Sequence, residues 1–119
     1  MKHEARYYLL YSANSYASPD YSIGVATSDS PVGTWTKYSG NPILKKDPAL
    51  HVSGPGHCMV TMSPDHSEWF IVYHTHSDFD HPSGNRNMCI DRLVFSNGMP
   101  KVLGPTRTPQ PLPKGANKN

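Results

Sequence analysis

The chain has 119 residues, with 11 Lys and Arg against 9 Asp and Glu, so its net charge is +2. That near-balance excludes a polycationic nucleic-acid binder and an acidic tail protein, and no apolar run approaches the roughly 20 residues of a membrane span. The 12 prolines and 9 glycines favour turns over long helices, and two cysteines, Cys58 and Cys89, are too few for a disulfide scaffold. The length suits one domain. Met1–Arg6 has no apolar h-region and no small-residue cleavage site, so it does not read as a signal peptide.

In chain order, short β runs alternate with turn clusters. Tyr7–Ser12 is aromatic and apolar, which suits a strand. Residues 15–19 carry turn chemistry, and Tyr21–Thr27 alternates as a second strand. A turn at 28–33 leads to a short third strand over 34–38. A long irregular connection, with Asn41-Pro42, Asp47-Pro48 and Gly54-Pro55-Gly56, then runs to about Gly56. Strands follow over 57–62, 69–74, 87–95 and 99–103, separated by a turn at 63–66, a polar loop at 77–85 and the Ser96-Asn97-Gly98 turn. No stretch sustains a capped 3.6-residue period, so no long helix is predicted. The strands group as three over 7–38 and four over 57–103, within a domain spanning 1–110 and followed by a loose tail at 111–119. A four-stranded antiparallel meander is the unit of a β-propeller blade, and a small sandwich of about seven strands is the alternative. Both cysteines fall within strand-like runs, where free cysteine behaves as a small buried hydrophobe.

Six segments in order carry a resemblance: Tyr7–Tyr16, Ser22–Gly33, Asn41–Leu44, Gly54–His57, Trp69–His74 and Arg86–Asp91. Together they resemble the C-terminal part of a glycoside hydrolase family 43 enzyme, the family of arabinanases, α-L-arabinofuranosidases and β-xylosidases. The resemblance implies an all-β fold amounting to about two blades of a five-bladed propeller. It also implies inverting hydrolysis of arabinose- or xylose-containing plant polysaccharides. Inversion needs an acid and a base roughly 6.5–9.5 Å apart. In the family the base and a tuning aspartate come from early blades, and the acid glutamate precedes the Tyr-Tyr-Leu strand by about ten residues. Tyr7 lies too near Met1 for that segment to be present. Glu4 aligns with a variable turn, so no catalytic residue is expected here. The missing strand of the first blade is expected to be its innermost, leaving an edge through which copies of the chain would associate.

The resemblance assigns Arg86 to the substrate cavity, where a guanidinium fork suits sugar hydroxyls and carboxylates. Asn14, Ser15 and Tyr16 fall on the cavity rim as substrate-binding candidates. His57 matches a histidine that faces the central channel and contacts an ion, commonly calcium, through water. From the residues alone, His57 is equally a hydrogen-bonded histidine at a strand start. His74 and His76 would share one strand face and could form a zinc pair, whereas the blander reading ends the strand at His74 and exposes His76 and His81 in the loop. Asp91 reads as a structural carboxylate partnered by Arg92 or a backbone turn. Three functions therefore compete: the glycosidase with little turnover by this chain alone, a non-catalytic carbohydrate-binding or assembling module, and a small zinc hydrolase. The expected partner is an arabinose- or xylose-containing oligosaccharide, with no nucleic acid and no membrane.

Overall fold

The computed structural model describes residues 1–82 and 84–117; Ser83 of the predicted polar loop and the last two residues of the predicted tail lie outside them. Two four-stranded antiparallel sheets appear among these residues, each a simple meander. The first joins β1 (Lys2–His3), β2 (Arg6–Ala13), β3 (Ser22–Ser28) and β4 (Thr36–Lys37). The second joins β5 (Gly56–Met62), β6 (Trp69–His76), β7 (Arg86–Ser96) and β8 (Met99–Val102).

The sequence predicts three strands in the first sheet, and the structure has four. The added β1 has only two residues, Lys2 facing Tyr7 and His3 facing Arg6. So short a strand carries no period-2 signal, and only its pairing reveals it. Met1 prolongs the contact: its amino group donates to the Tyr8 carbonyl at 2.8 Å, and the Tyr8 N–H donates back to Met1 at 2.8 Å.

The long connection is ordered by local bonds. The Asn41 side chain accepts from the Val25 N–H at 2.8 Å and donates to the Val25 carbonyl at 2.9 Å, imitating the edge of a strand beside β3. Asn41 also donates to the Tyr11 hydroxyl at 3.1 Å. Leu44 bridges to Ile23, and Asp47 caps a 3-10 turn at Pro48–Leu50 before pairing with Val52. Leu44 and Val52 are thereby buried.

The core lies between the two sheets and consists of Ile23, Leu44, Ile71, Tyr73, Leu93 and Val102. Full burial of an aliphatic side chain of this kind stabilises by about 1.5–3 kcal/mol. Cys58 and Cys89 flank the core half-buried, and burial pushes the Cys58 thiol up. At one end the sheets are joined by rings. Phe95 stacks on His3 at 3.6 Å and meets Tyr8 edge-on at 5.2 Å, and the Tyr8 hydroxyl donates to Gly98 O at 2.8 Å.

Asp91 is buried, but its partners are not Arg92 or a turn. The Tyr73 hydroxyl donates to it at 2.7 Å, and the Thr106 hydroxyl donates to its other oxygen. Burial and this carboxylate both push the Tyr73 phenol up. Arg92 projects from the opposite face, because neighbours along a strand alternate. It donates to Glu68 at 3.0 Å and to the Pro111 and Leu112 carbonyls at 3.1 and 3.3 Å. Glu68 also accepts the Lys114 N–H at 2.8 Å. That bond first, and the Arg92 bond second, hold the Glu68 carboxyl below its usual range. The segment predicted as a loose tail thus meets the second sheet through Pro111, Leu112 and Lys114.

Candidate functional site

At the end opposite the ring contacts, β2 and β6 finish while β3, β5 and β7 begin. The Gly54-Pro55-Gly56 turn delivers the chain into β5 there. Gly54 has φ +56°, and a side chain on it would run into the His76 imidazole. His57 itself has φ +54° and sits within a register shift between Gly56 and Met59. Such a bulge re-aims one residue out of the ladder. The His57 N–H donates to Ser12 Oγ at 2.7 Å, tying the second sheet to the end of β2.

His76 is the residue that sequence reasoning missed. It belongs to β6, paired with Arg86, and is 1% exposed rather than lying in an exposed loop. Its Nε2 donates to the Tyr16 carbonyl at 2.9 Å, since a carbonyl can only accept. Its Nδ1 meets the buried Ser53 hydroxyl at 2.9 Å. With both nitrogens engaged, His76 has none free for the predicted His74–His76 zinc pair. The clue in the sequence was the pairing of a glycine turn with a histidine at a strand end, and only the three-dimensional approach of Gly54 gives it meaning.

Arg86 and Tyr16 lie side by side at this end of the sheets. Arg86 Nη2 donates to the Tyr16 carbonyl at 3.1 Å, and Nη1 to Asn85 O at 3.1 Å. The Tyr16 carbonyl therefore receives two donors, while its ring is 69% exposed and projects from the rim. Asn14, at φ +70°, turns its amide to the Asp20 carbonyl at 2.8 Å. It closes the loop and lines an open cleft of about 530 Å³ with Ser18, Asp20, Lys45 and Lys46.

His57 stands beside His74, ring centroids 5.6 Å apart, and the Tyr21 ring lies 6.1 Å from that of His74. The His74 Nδ1 is buried without a hydrogen-bond partner among the described residues. Burial first, and then the charges of Arg86 and His57, hold the His74 imidazole below its ordinary 6.5. No group of three His, Cys, Asp or Glu converges here among the described residues. Calcium takes six to eight oxygen ligands, and His57 offers a nitrogen. Of the carboxylates on the loops at this end, Asp20 is paired with Lys46 at 2.7 Å and Asp78 with His81 at 3.1 Å. Glu4 lies in the β1–β2 turn, at the opposite end of an eight-residue strand, roughly 25 Å away at ~3.3 Å per residue.

Two packed meanders with a polar mouth at one end and a ring-filled contact at the other are adjacent blades of a β-propeller. Residues 1–100 match the model of the glycosyl hydrolases family 43, and the chain belongs to that family, whose propeller has five blades. A crystal structure of a thermostable family-43 glycoside hydrolase is 59% identical, with a TM-score of 0.94 over 98% of this chain and 37% of its own. An endo-1,4-β-xylanase from Bacteroides thetaiotaomicron is 36% identical, with a TM-score of 0.79 over 87% of this chain and 35% of its own. A β-D-galactofuranosidase of Aspergillus niger is 31% identical over 81% of this chain and 27% of its own. The chain thus spans about a third of those two structures and about a quarter of that curated relative.

Proposed function

We propose that this chain forms one side of the sugar cavity of a family 43 glycosidase acting, with inversion, on arabinose- or xylose-containing plant polysaccharides. The carrying observation is the Arg86 guanidinium fixed at the mouth by the Tyr16 carbonyl, with the exposed Tyr16 ring beside it. A guanidinium fork recognises paired oxygens, and an aromatic face suits the apolar face of a sugar ring. Asn14 lines the neighbouring cleft as a third contact. His57 takes an outer place, with water between its imidazole and a cation such as calcium. The acid and base of inverting chemistry are supplied by other blades, so the chain alone binds sugar without appreciable turnover. A second mode is self-association through the edge of β2, since β1 covers only its start.

Titrating the labelled chain with arabino- and xylo-oligosaccharides tests this reading by NMR. Shifts should centre on residues 14–16 and 86 and vanish in Arg86→Ala. Absence of any shift, or aryl-glycoside turnover abolished by Glu4→Gln, would overturn it.

A further inference from the structure

The segment beyond β8 is fixed at its root and farther on. The Leu103 N–H donates to the Arg92 carbonyl at 2.9 Å. Gly104 passes so close to the buried Asp91 carboxylate that a side chain on it would collide, and the Thr106 hydroxyl donates to that same carboxylate. Arg92 and Glu68 then hold the segment at Pro111, Leu112 and Lys114. Between these anchors, Arg107 reaches back across the chain. Its Nη2 donates to the His51 carbonyl at 3.1 Å, and its Nε donates to the Leu50 carbonyl at 3.4 Å.

Those two carbonyls end the 3-10 turn at Pro48–Leu50, whose C-cap is His51 in the left-handed region at φ +51°. The last carbonyls of a helical turn find no donor within it, and a cation there also suits the direction of the backbone dipoles. The N-terminal cap is local: the Asp47 carboxylate accepts the Leu50 N–H at 3.2 Å. The cation at the other end comes from a segment more than fifty residues away. Two residues after His51 stands Ser53, fully buried. Its carbonyl accepts the His76 N–H and its hydroxyl meets His76 Nδ1, both at 2.9 Å. Gly54 follows and donates its N–H to the Pro19 carbonyl at 3.1 Å. His76 Nε2 donates to the Tyr16 carbonyl, which also accepts from Arg86. An unbroken series of contacts thus joins Arg107 to the mouth through the 3-10 turn, Ser53 and His76.

We propose that Arg107 is a positioning residue for the mouth. By capping the 3-10 turn it sets the place of Ser53, and the Ser53–His76 pair passes that placement to the Tyr16 carbonyl and so to the Arg86 guanidinium. Coupling of this kind is established by substitutions that fail to add, not by contiguity alone. Only the sugar arm of the test rests on the reading of the mouth as a sugar cavity.

Amide hydrogen exchange on the labelled 119-residue chain compares Arg107→Ala with Arg92→Ala, which releases Pro111 and Leu112 but leaves the Arg107 bonds in place. Arg107→Ala should speed exchange about fivefold, the worth of one ordinary net hydrogen bond, at residues 50–54 and again at 15–18. It should also move the ring-nitrogen resonances of His76. Arg92→Ala should change neither. In a His76→Ala background, Arg107→Ala should still speed residues 50–54 but add nothing at 15–18. Titrated with arabino- and xylo-oligosaccharides, Arg107→Ala should bind about fivefold more weakly than the wild type. Exchange at 15–18 untouched by Arg107→Ala, a response there that persists in full without His76, an equal response to Arg92→Ala, or sugar binding undiminished by Arg107→Ala would each overturn the proposal. The expected exchange pattern in a chain that shows no sugar shift would instead overturn the sugar cavity and uphold the positioning role.

Discussion

Replacing His76 by alanine removes the post that holds the rim loop. The ring is 1% exposed, and both of its hydrogen bonds are 2.9 Å. Each such bond contributes about 1 kcal/mol net, and the Ser53 hydroxyl, left buried without a partner, adds roughly 1–3 kcal/mol. Part of the imidazole volume then stays empty above Gly54, so the total is about 3–5 kcal/mol. At about 4 °C per kcal/mol for a chain of 119 residues, the melting temperature falls on the order of 12–20 °C. Urea denaturation of the single and double variants separates the causes. Ser53→Ala should cost about 1–3 kcal/mol in the wild type, where it leaves the buried His76 Nδ1 without its partner, and should recover about 1–3 kcal/mol beside His76→Ala, because the orphaned hydroxyl is then absent. Hydrogen exchange at residues 15–18 should accelerate in His76→Ala. Additivity of the two substitutions to within about 0.5 kcal/mol would refute the His76–Ser53 coupling.

Gly54→Ala should destabilise by more than about 2 kcal/mol, since a side chain at φ +56° is strained and also meets the His76 ring; calorimetry reads this directly. Tyr73→Phe should lose about 1.5–3 kcal/mol, because it strips a donor from the buried Asp91 carboxylate. Asp91→Ala should lose a similar amount by orphaning two hydroxyls. His74 gives the chain a pH dependence of definite sign. Its imidazole is held below the ordinary 6.5 in the fold. As pH falls below that value the unfolded chain takes up the proton first, and stability drops until the folded imidazole protonates too. Denaturation midpoints should be flat in this respect above pH 6.5 and decline below it, with the slope reduced in His74→Asn.

The strand positions were legible because aromatic and β-branched runs bounded by proline and glycine leave few alternatives. The predicted 69–74 strand extends to His76, since two further residues pair with Asn87 and Arg86 although Thr75 and His76 offer no apolar signal. The two-residue β1 was invisible for the same reason. The contact of Arg86 with Tyr16 could not be read from spacing, as 70 residues separate them. The partners of Asp91 were hidden because Thr106 lies beyond the last strand, whereas the nearest cation, Arg92, is turned away by strand alternation. The ordering of the long connection depends on Asn41 serving as a surrogate backbone for Val25, which no pattern of hydropathy encodes.

The contrast between the two ends of the sheet pair has a mechanical meaning. Rings of His3, Tyr8 and Phe95 bind one end, and hydrogen bonds from His57, His76 and Arg86 bind the other. Water can replace the polar ties one at a time, whereas parting the rings exposes apolar surface all at once. The pair therefore resembles a book with a greasy spine and a polar fore-edge.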